Sequence, residues 1–111
     1  MLQYNLLKSL EGVEAVSSTL EKLDLFDNQV ESLSALATCT RLQFLDLSHN
    51  RVHHVEGLQN CALLKELFLV HNRVGKIQGL DKLGALEMLE LGDNSIRVCT
   101  LCTLCTLHYY T

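Results

Sequence analysis

The amino-acid sequence predicts an α/β solenoid, a right-handed stack of short coils that forms a segment of a horseshoe. Leucine fills 25 of the 111 positions, and most of these leucines recur at one fixed interval, as from Leu23 to Leu45, Leu67 and Leu89. Fixed periods of about 20–50 residues are typical of repeat architectures, in which each unit packs against its neighbours. We expect one short-stranded parallel sheet on the concave face and 3₁₀ or short helical turns on the convex face, because roughly ten residues remain for each return.

The period is carried by four in-phase copies of one motif. Each copy fits L-x-x-L-x-L-x-x-N-x-L, with Val or Ile at the last position, as in the segment from Leu42 to Val52. This pattern is the leucine-rich-repeat signature. The copies start at residues 20, 42, 64 and 86, after a partial first repeat. We therefore divide the chain into a leucine-rich-repeat domain over residues 1–97 and a low-complexity Cys/Thr/Leu tail over residues 98–111.

Each full repeat should contribute one strand to the sheet. Successive side chains of a strand point to opposite faces, so Leu23 and Leu25 should point into the core while Asp24 and Phe26 point outward. The same alternation in the other copies predicts buried leucine pairs and parallel strands at roughly residues 23–25, 45–47, 67–69 and 89–91. The concave surface is therefore made of the outward strand positions.

Two further positions of the repeat are interpreted as structural. The asparagine after each strand has an amide that can satisfy main-chain groups of a buried turn. This structural ladder consists of Asn28, Asn50, Asn72 and Asn94. Seven residues later a small residue would permit a tight turn or a close backbone approach. These small residues are Gly12, Ala35, Gly57 and Gly79.

The outward strand positions predict a protein-binding surface. Acidic side chains alternate there with three phenylalanines, and large apolar groups clustered in the open usually mark contact sites. The alternative is an ordinary solvated sheet face, which accounts for the acids but poorly for the aromatic rings. The candidate contact residues are Asp24, Phe26, Phe44, Asp46, Glu66, Phe68, Val70, Met88 and Glu90.

The edge after the asparagines is basic and rich in histidine, and we interpret it as a solvated charged edge. Its cations are Arg51, Arg73, Lys76 and Arg97. Beside them runs a polar ladder of Asp27, His49, His71 and Asp93, with His53 and His54 on the following turn. Stacked imidazoles beside carboxylates could hold a metal or titrate near neutral pH, but simple edge packing is the preferred interpretation.

The tail repeats a three-residue unit, with potential zinc ligands at Cys99, Cys102, Cys105 and His108. We interpret it instead as a disordered or non-native end, or as a partly ordered final coil in which cysteines act as small hydrophobic residues. The sequence contains no Ser-His-Asp, H-E-x-x-H, Walker or G-x-G-x-x-G pattern. We therefore predict a protein that is not an enzyme and that needs no metal or cofactor.

Charge and cysteine content limit the kinds of partner that we expect for this chain and the cell compartment in which we expect it. The formal net charge is −4 without a basic block, which argues against nucleic acid, and no apolar run approaches the ~20 residues needed to span a membrane. Five cysteines do not make a secreted disulfide framework, so we expect a cytosolic or nuclear protein. Uncapped end coils would also allow self-association through open strand edges.

Several segments resemble one class of repeat protein beyond the generic signature. The segments 23–30, 64–74 and 87–97, together with the Glu-Gly-Leu turn at 56–58, are similar to the short 22-residue class typified by the nuclear regulatory leucine-rich-repeat subunit of type-1 protein serine/threonine phosphatase. The resemblance covers about residues 1–97 and suggests a short or truncated form with four full repeats.

This resemblance implies a non-catalytic nuclear and cytoplasmic protein whose concave face binds the phosphatase catalytic subunit. By matching position it implies that Asp46, Phe68 and Glu90 contact the phosphatase. Two alternatives stay open: a generic leucine-rich-repeat scaffold with another protein partner, and a structural fragment whose binding surface is too short to act.

Overall fold

The computed structural model describes residues 13, 18–77, 79–80, 82–95, 98–99 and 108–110, and these form a solenoid with parallel strands. The strands are β1 (Lys22–Asp24), β2 (Phe44–Asp46), β3 (Glu66–Phe68), β4 (Lys76–Ile77), β5 (Met88–Glu90), β6 (Val98–Cys99) and β7 (His108–Tyr110). A 3₁₀ helix spans Ser34–Thr38. The main sheet has the order β1-β2-β3-β5-β7, and β4 pairs with β6 in a second sheet. All of these pairings are parallel, which confirms the predicted fold class.

The register of the main sheet follows the sequence period. Leu23 lies opposite Leu45, Leu45 opposite Leu67, and Leu67 opposite Leu89, so each partner is displaced by one full repeat. The strands lie one residue earlier than predicted, for example at 22–24 instead of 23–25. The second leucine of the first three pairs still joins the neighbouring coil: the N–H groups of Leu25, Leu47 and Leu69 donate at 2.8 Å to the carbonyls of Asp46, Phe68 and Glu90.

Strands β6 and β7 both lie within the segment predicted to be a low-complexity tail. Strand β6 pairs with β4 one full repeat earlier, with Lys76 opposite Val98. Strand β7 pairs with β5 at a step of 20, with Met88 opposite His108, which is two residues less than the step between the earlier strands. For these described parts of the segment, the pairing favours the final-coil interpretation over a disordered end. Cys102 and Cys105 lie outside the described residues.

The core lies between the main sheet and the return segments. All eight leucines of the predicted pairs are buried, with exposed fractions of 5% or less. The other side of the core is closed by the buried side chains of Leu33, Leu36, Val55, Leu58 and Leu80. Cys39 and Cys61 occupy equivalent positions in successive coils, where both are fully buried. Burial, with a smaller contribution from Cys39, raises the pKa of the Cys61 thiol to about 11, so this residue packs as a small neutral group.

The asparagine ladder joins each coil to the preceding one. Asn50 Nδ2 donates to the carbonyls of Leu25 and Leu47, both at 2.9 Å, and its Oδ1 accepts from the Val30 N–H at 2.9 Å. Asn72 and Asn94 repeat this set of bonds one and two coils later. The first three asparagines of the ladder are buried and Asn94 is half-buried. The predicted structural role is confirmed.

The predicted close approach at the small residues is found at two of the four positions. Gly57 has φ +91° and Gly79 has φ +75°, and a Cβ on Gly57 would lie 2.5 Å from the Leu33 carbonyl oxygen. Ala35 instead lies within the 3₁₀ helix, so that return path needs no left-handed residue. Gly12 lies outside the described residues.

Candidate protein-binding surface

The outward positions of the strands form two rows across the concave face. The first row is Lys22, Phe44, Glu66 and Met88, and the second is Asp24, Asp46, Phe68 and Glu90. Because the register steps by one repeat, the predicted contact residues Asp46, Phe68 and Glu90 lie opposite one another on three adjacent strands. The sequence period therefore placed this trio correctly.

An aromatic pair occupies the middle of the face. Phe44 on β2 and Phe68 on β3 pack diagonally, with ring centroids 5.5 Å apart and planes tilted by 47°. The Lys22 ammonium lies 5.1 Å from the Phe44 centroid, which is a cation–π distance. Both rings are consequently half-buried, although Phe68 was expected to be exposed. Diagonal neighbours on a sheet are within reach of aromatic side chains, which explains the mutual shielding.

Phe26 does not join this pair. Its ring packs against His49 at 4.9 Å, at the end of the strands where the turns begin. Val70, in the equivalent position two coils later, is half-buried, and Ser48 between them is buried. The three phenylalanines therefore form two separate contacts rather than the single studded surface that the sequence suggested.

The acidic side chains of the second row differ in how far they are exposed to solvent. Asp24 is buried, which corrects its prediction as an exposed contact residue. Its Oδ1 accepts from the Phe26 N–H at 3.1 Å, and Asp46 Oδ1 accepts likewise from the Ser48 N–H at 2.9 Å. Short aspartate side chains commonly fold back onto the backbone two residues ahead in this way. Asp46 nevertheless remains half-exposed, and so does Glu90.

A groove at the start of the strands extends this surface beyond the predicted residues. It encloses about 470 Å³ and is lined by Glu21, Lys22, Gln43, Phe44, Lys65, Glu66 and Glu87. Gln43 Nε2 donates to Glu21 Oε1 at 3.0 Å across neighbouring coils. Four of the lining residues lie just before a strand and recur once per repeat: Glu21, Gln43, Lys65 and Glu87. The sequence period could therefore have identified them as a third row of the surface.

Other kinds of site receive no support from the described part of the chain. No group of three or more His, Cys, Asp or Glu side chains is arranged there to hold a metal ion. His71 Nδ1 pairs with Asp93 Oδ2, while His49 stacks on His71 with ring centroids 4.8 Å apart. Arg97 of the predicted basic edge lies outside the described residues. A search of the described chain finds no helix with the length and apolarity to cross a membrane.

Comparisons with known proteins agree with this geometry. The family model "Leucine Rich repeats (2 copies)" matches residues 18–60. Comparison with curated protein sequences finds no match. Among solved structures, the Listeria monocytogenes internalin inlF is 20% identical with a TM-score of 0.77, over 93% of this chain and 37% of its own. Internalin C2 of the same species is 25% identical with a TM-score of 0.71, over 92% and 56%.

A leucine-rich-repeat protein of Leptospira interrogans has a TM-score of 0.79 at 20% identity, over 91% of this chain and 28% of its own. The chain thus spans between 28% and 56% of the length of these three structures. Repeats and fold together define a leucine-rich-repeat solenoid. Solenoids of this kind are in general protein-interaction scaffolds that use an extended concave surface.

Proposed function

We propose that this chain is a non-catalytic protein-binding module whose partner lies on the concave face. The observation that supports this role is the Phe44–Phe68 pair, with Asp46 and Glu90 on the strands either side of Phe68. Half-buried rings in the middle of a face can serve as anchors without much further ordering. The surrounding carboxylates suit a partner rich in Lys and Arg, and would act mainly on the association rate.

We propose that the partner is the catalytic subunit of type-1 protein serine/threonine phosphatase, and that the two proteins bind each other in the nucleus and cytoplasm. The support is the similarity of segments 23–30, 64–74 and 87–97 to the regulatory subunit class. The trio implied by that similarity, Asp46, Phe68 and Glu90, also occupies one continuous row of the sheet.

Titration calorimetry of the full chain with the purified phosphatase catalytic subunit tests both proposals. Phe68→Ala should weaken binding by ~1–3 kcal/mol, as expected for a truncated interface anchor. The matched control is Leu63→Ala, since Leu63 is an exposed hydrophobic residue (47%) outside the rows of the concave face, and its loss should change the affinity little. Absence of binding by the unmodified chain would reject the phosphatase, whereas equal losses in the two variants would reject the concave face.

A further inference from the structure

A second surface of opposite chemistry lies at the turns that follow β2 and β3. We call this surface the basic rim; its residues are His49, Arg51, His53, His54, His71, Arg73 and Lys76, all of them exposed. They come from two short stretches, 49–54 and 71–76, which contain no Asp or Glu. Three permanent cations and four imidazoles thus share a small area, which the proposed concave-face function does not use.

The stacking of coils makes these stretches one surface. The His49 and His71 rings stack with an interplanar angle of 23°, and His54 forms a parallel bridge with Lys76. The Arg51 N–H donates to Val30 and the Arg73 N–H to Val52, so both arginines follow the same backbone path one coil apart. Neighbouring coils in such a ladder are ~4.8 Å apart. The two guanidinium groups can therefore reach a single ligand segment.

The backbone holds the imidazoles at the edge. His49 and His71 have φ of 60° and 57°, and the equivalent residues in the flanking repeats are Asp27 and Asp93. Asp and His tolerate this left-handed conformation better than most residues. The conformation places their side chains at the rim, beside the ordered asparagine turn, rather than on the concave face.

Acidic groups border the rim from its flanks. The described carboxylates next to it are Asp27, Glu31, Glu56 and Asp93. Of these, Asp93 pairs with His71, while Glu31 stands one repeat before His53. Within the described residues, no carboxylate lies within ion-pair distance of Arg51, Arg73 or Lys76. These cations therefore remain available to a ligand carboxylate.

From this arrangement we propose that the basic rim binds an acidic segment of another protein. Arginine pairs with carboxylates through two parallel hydrogen bonds, and two arginines one coil apart can hold successive carboxylates of an extended chain. A neighbouring imidazole can add an N–H donor to such a carboxylate. A protein ligand is favoured over nucleic acid because three permanent cations do not make the continuous basic stripe that is typical of nucleic-acid binding.

The test uses the full chain and a fluorescent peptide of about ten glutamates, with affinity measured by fluorescence anisotropy. Arg51→Gln with Arg73→Gln should weaken binding about tenfold at pH 7.5, since the ligand carboxylates lose two charged partners. The control pair Arg41→Gln with Lys82→Gln removes the same charge from exposed positions outside the rim and should change binding less than about twofold.

Circular dichroism checks that each variant is folded. Equal losses in the rim and control pairs, or tighter binding of a DNA duplex than of the peptide at the same salt concentration, would each overturn the proposal.

Discussion

Removing one member of the asparagine ladder should destabilise the solenoid out of proportion to the size of the change. In Asn50→Ala the Val30 N–H loses its acceptor, at a cost of ~1–3 kcal/mol for a buried unsatisfied donor. The Leu25 and Leu47 carbonyls each lose one donor but keep another, from Asn28 and Asn72 respectively. Those two losses cost ~0.5–1.5 kcal/mol each, so we expect a total of about 2–6 kcal/mol.

Urea unfolding followed by circular dichroism measures this loss, provided that the slope of the free energy against urea concentration stays unchanged. Asn60→Ala is the matched control, because Asn60 is exposed and its amide donates one bond, to the Ala37 carbonyl at 3.1 Å. That variant should lose less than about 0.5 kcal/mol. If Asn50→Ala cost no more than the control, the ladder would not be holding the coils together and the accounting of its bonds would be wrong.

Three further substitutions test the core, a turn and the buried thiol. Leu67→Ala should lower the free energy of unfolding in urea by ~2–5 kcal/mol, whereas Leu63→Ala, at an exposed position, should change it little. Similar losses in the two variants would contradict the assignment of Leu67 to the core. Gly57→Ala places a methyl group 2.5 Å from the Leu33 carbonyl oxygen, at a residue with φ +91°, and should clearly lower the midpoint temperature of unfolding. The control is Gly84→Ala, whose methyl group meets nothing within 4 Å and should leave that midpoint unchanged. A larger loss in Gly84→Ala than in Gly57→Ala would refute the close approach. Because burial raises the pKa of Cys61 from 9.0 to about 11, the unfolded thiol loses its proton first, so stability should fall as the pH rises through that range. Cys61→Ala should flatten this alkaline decline, and an identical decline in the variant would remove the thiol as its cause.

The fold was predictable because the amino-acid sequence repeats with one fixed period. Each coil makes the same contacts with the next one, so the fixed repeat length determines the strand register, the buried leucines and the asparagine bonds together. The strands were predicted one residue late. The repeat pattern shows which side chains are buried, but it shows less exactly where the main-chain hydrogen bonds of a strand begin and end.

The candidate surface was only partly predictable for a different reason. Alternation along a strand determines which side chains leave the core, and it placed Asp46, Phe68 and Glu90 in one row. It could not tell whether an outward side chain would stay in solvent. That depends on lateral neighbours, as in the Phe44–Phe68 packing, and on local folding back, as in the hydrogen bond from the Phe26 N–H to Asp24.

The repeat, the sheet, the core and the structural asparagines could all be predicted from the sequence, since they follow from one period applied to backbone geometry. Tertiary structure alone decided that Phe26 packs on His49, that Asp24 is buried, and that exposed histidines and arginines of two coils form one rim. The physical reason is that core positions are specified by hydrophobic burial, which repeats identically in every coil. Surface side chains choose among neighbours that differ from one coil to the next, and these choices appear only when the coils are stacked.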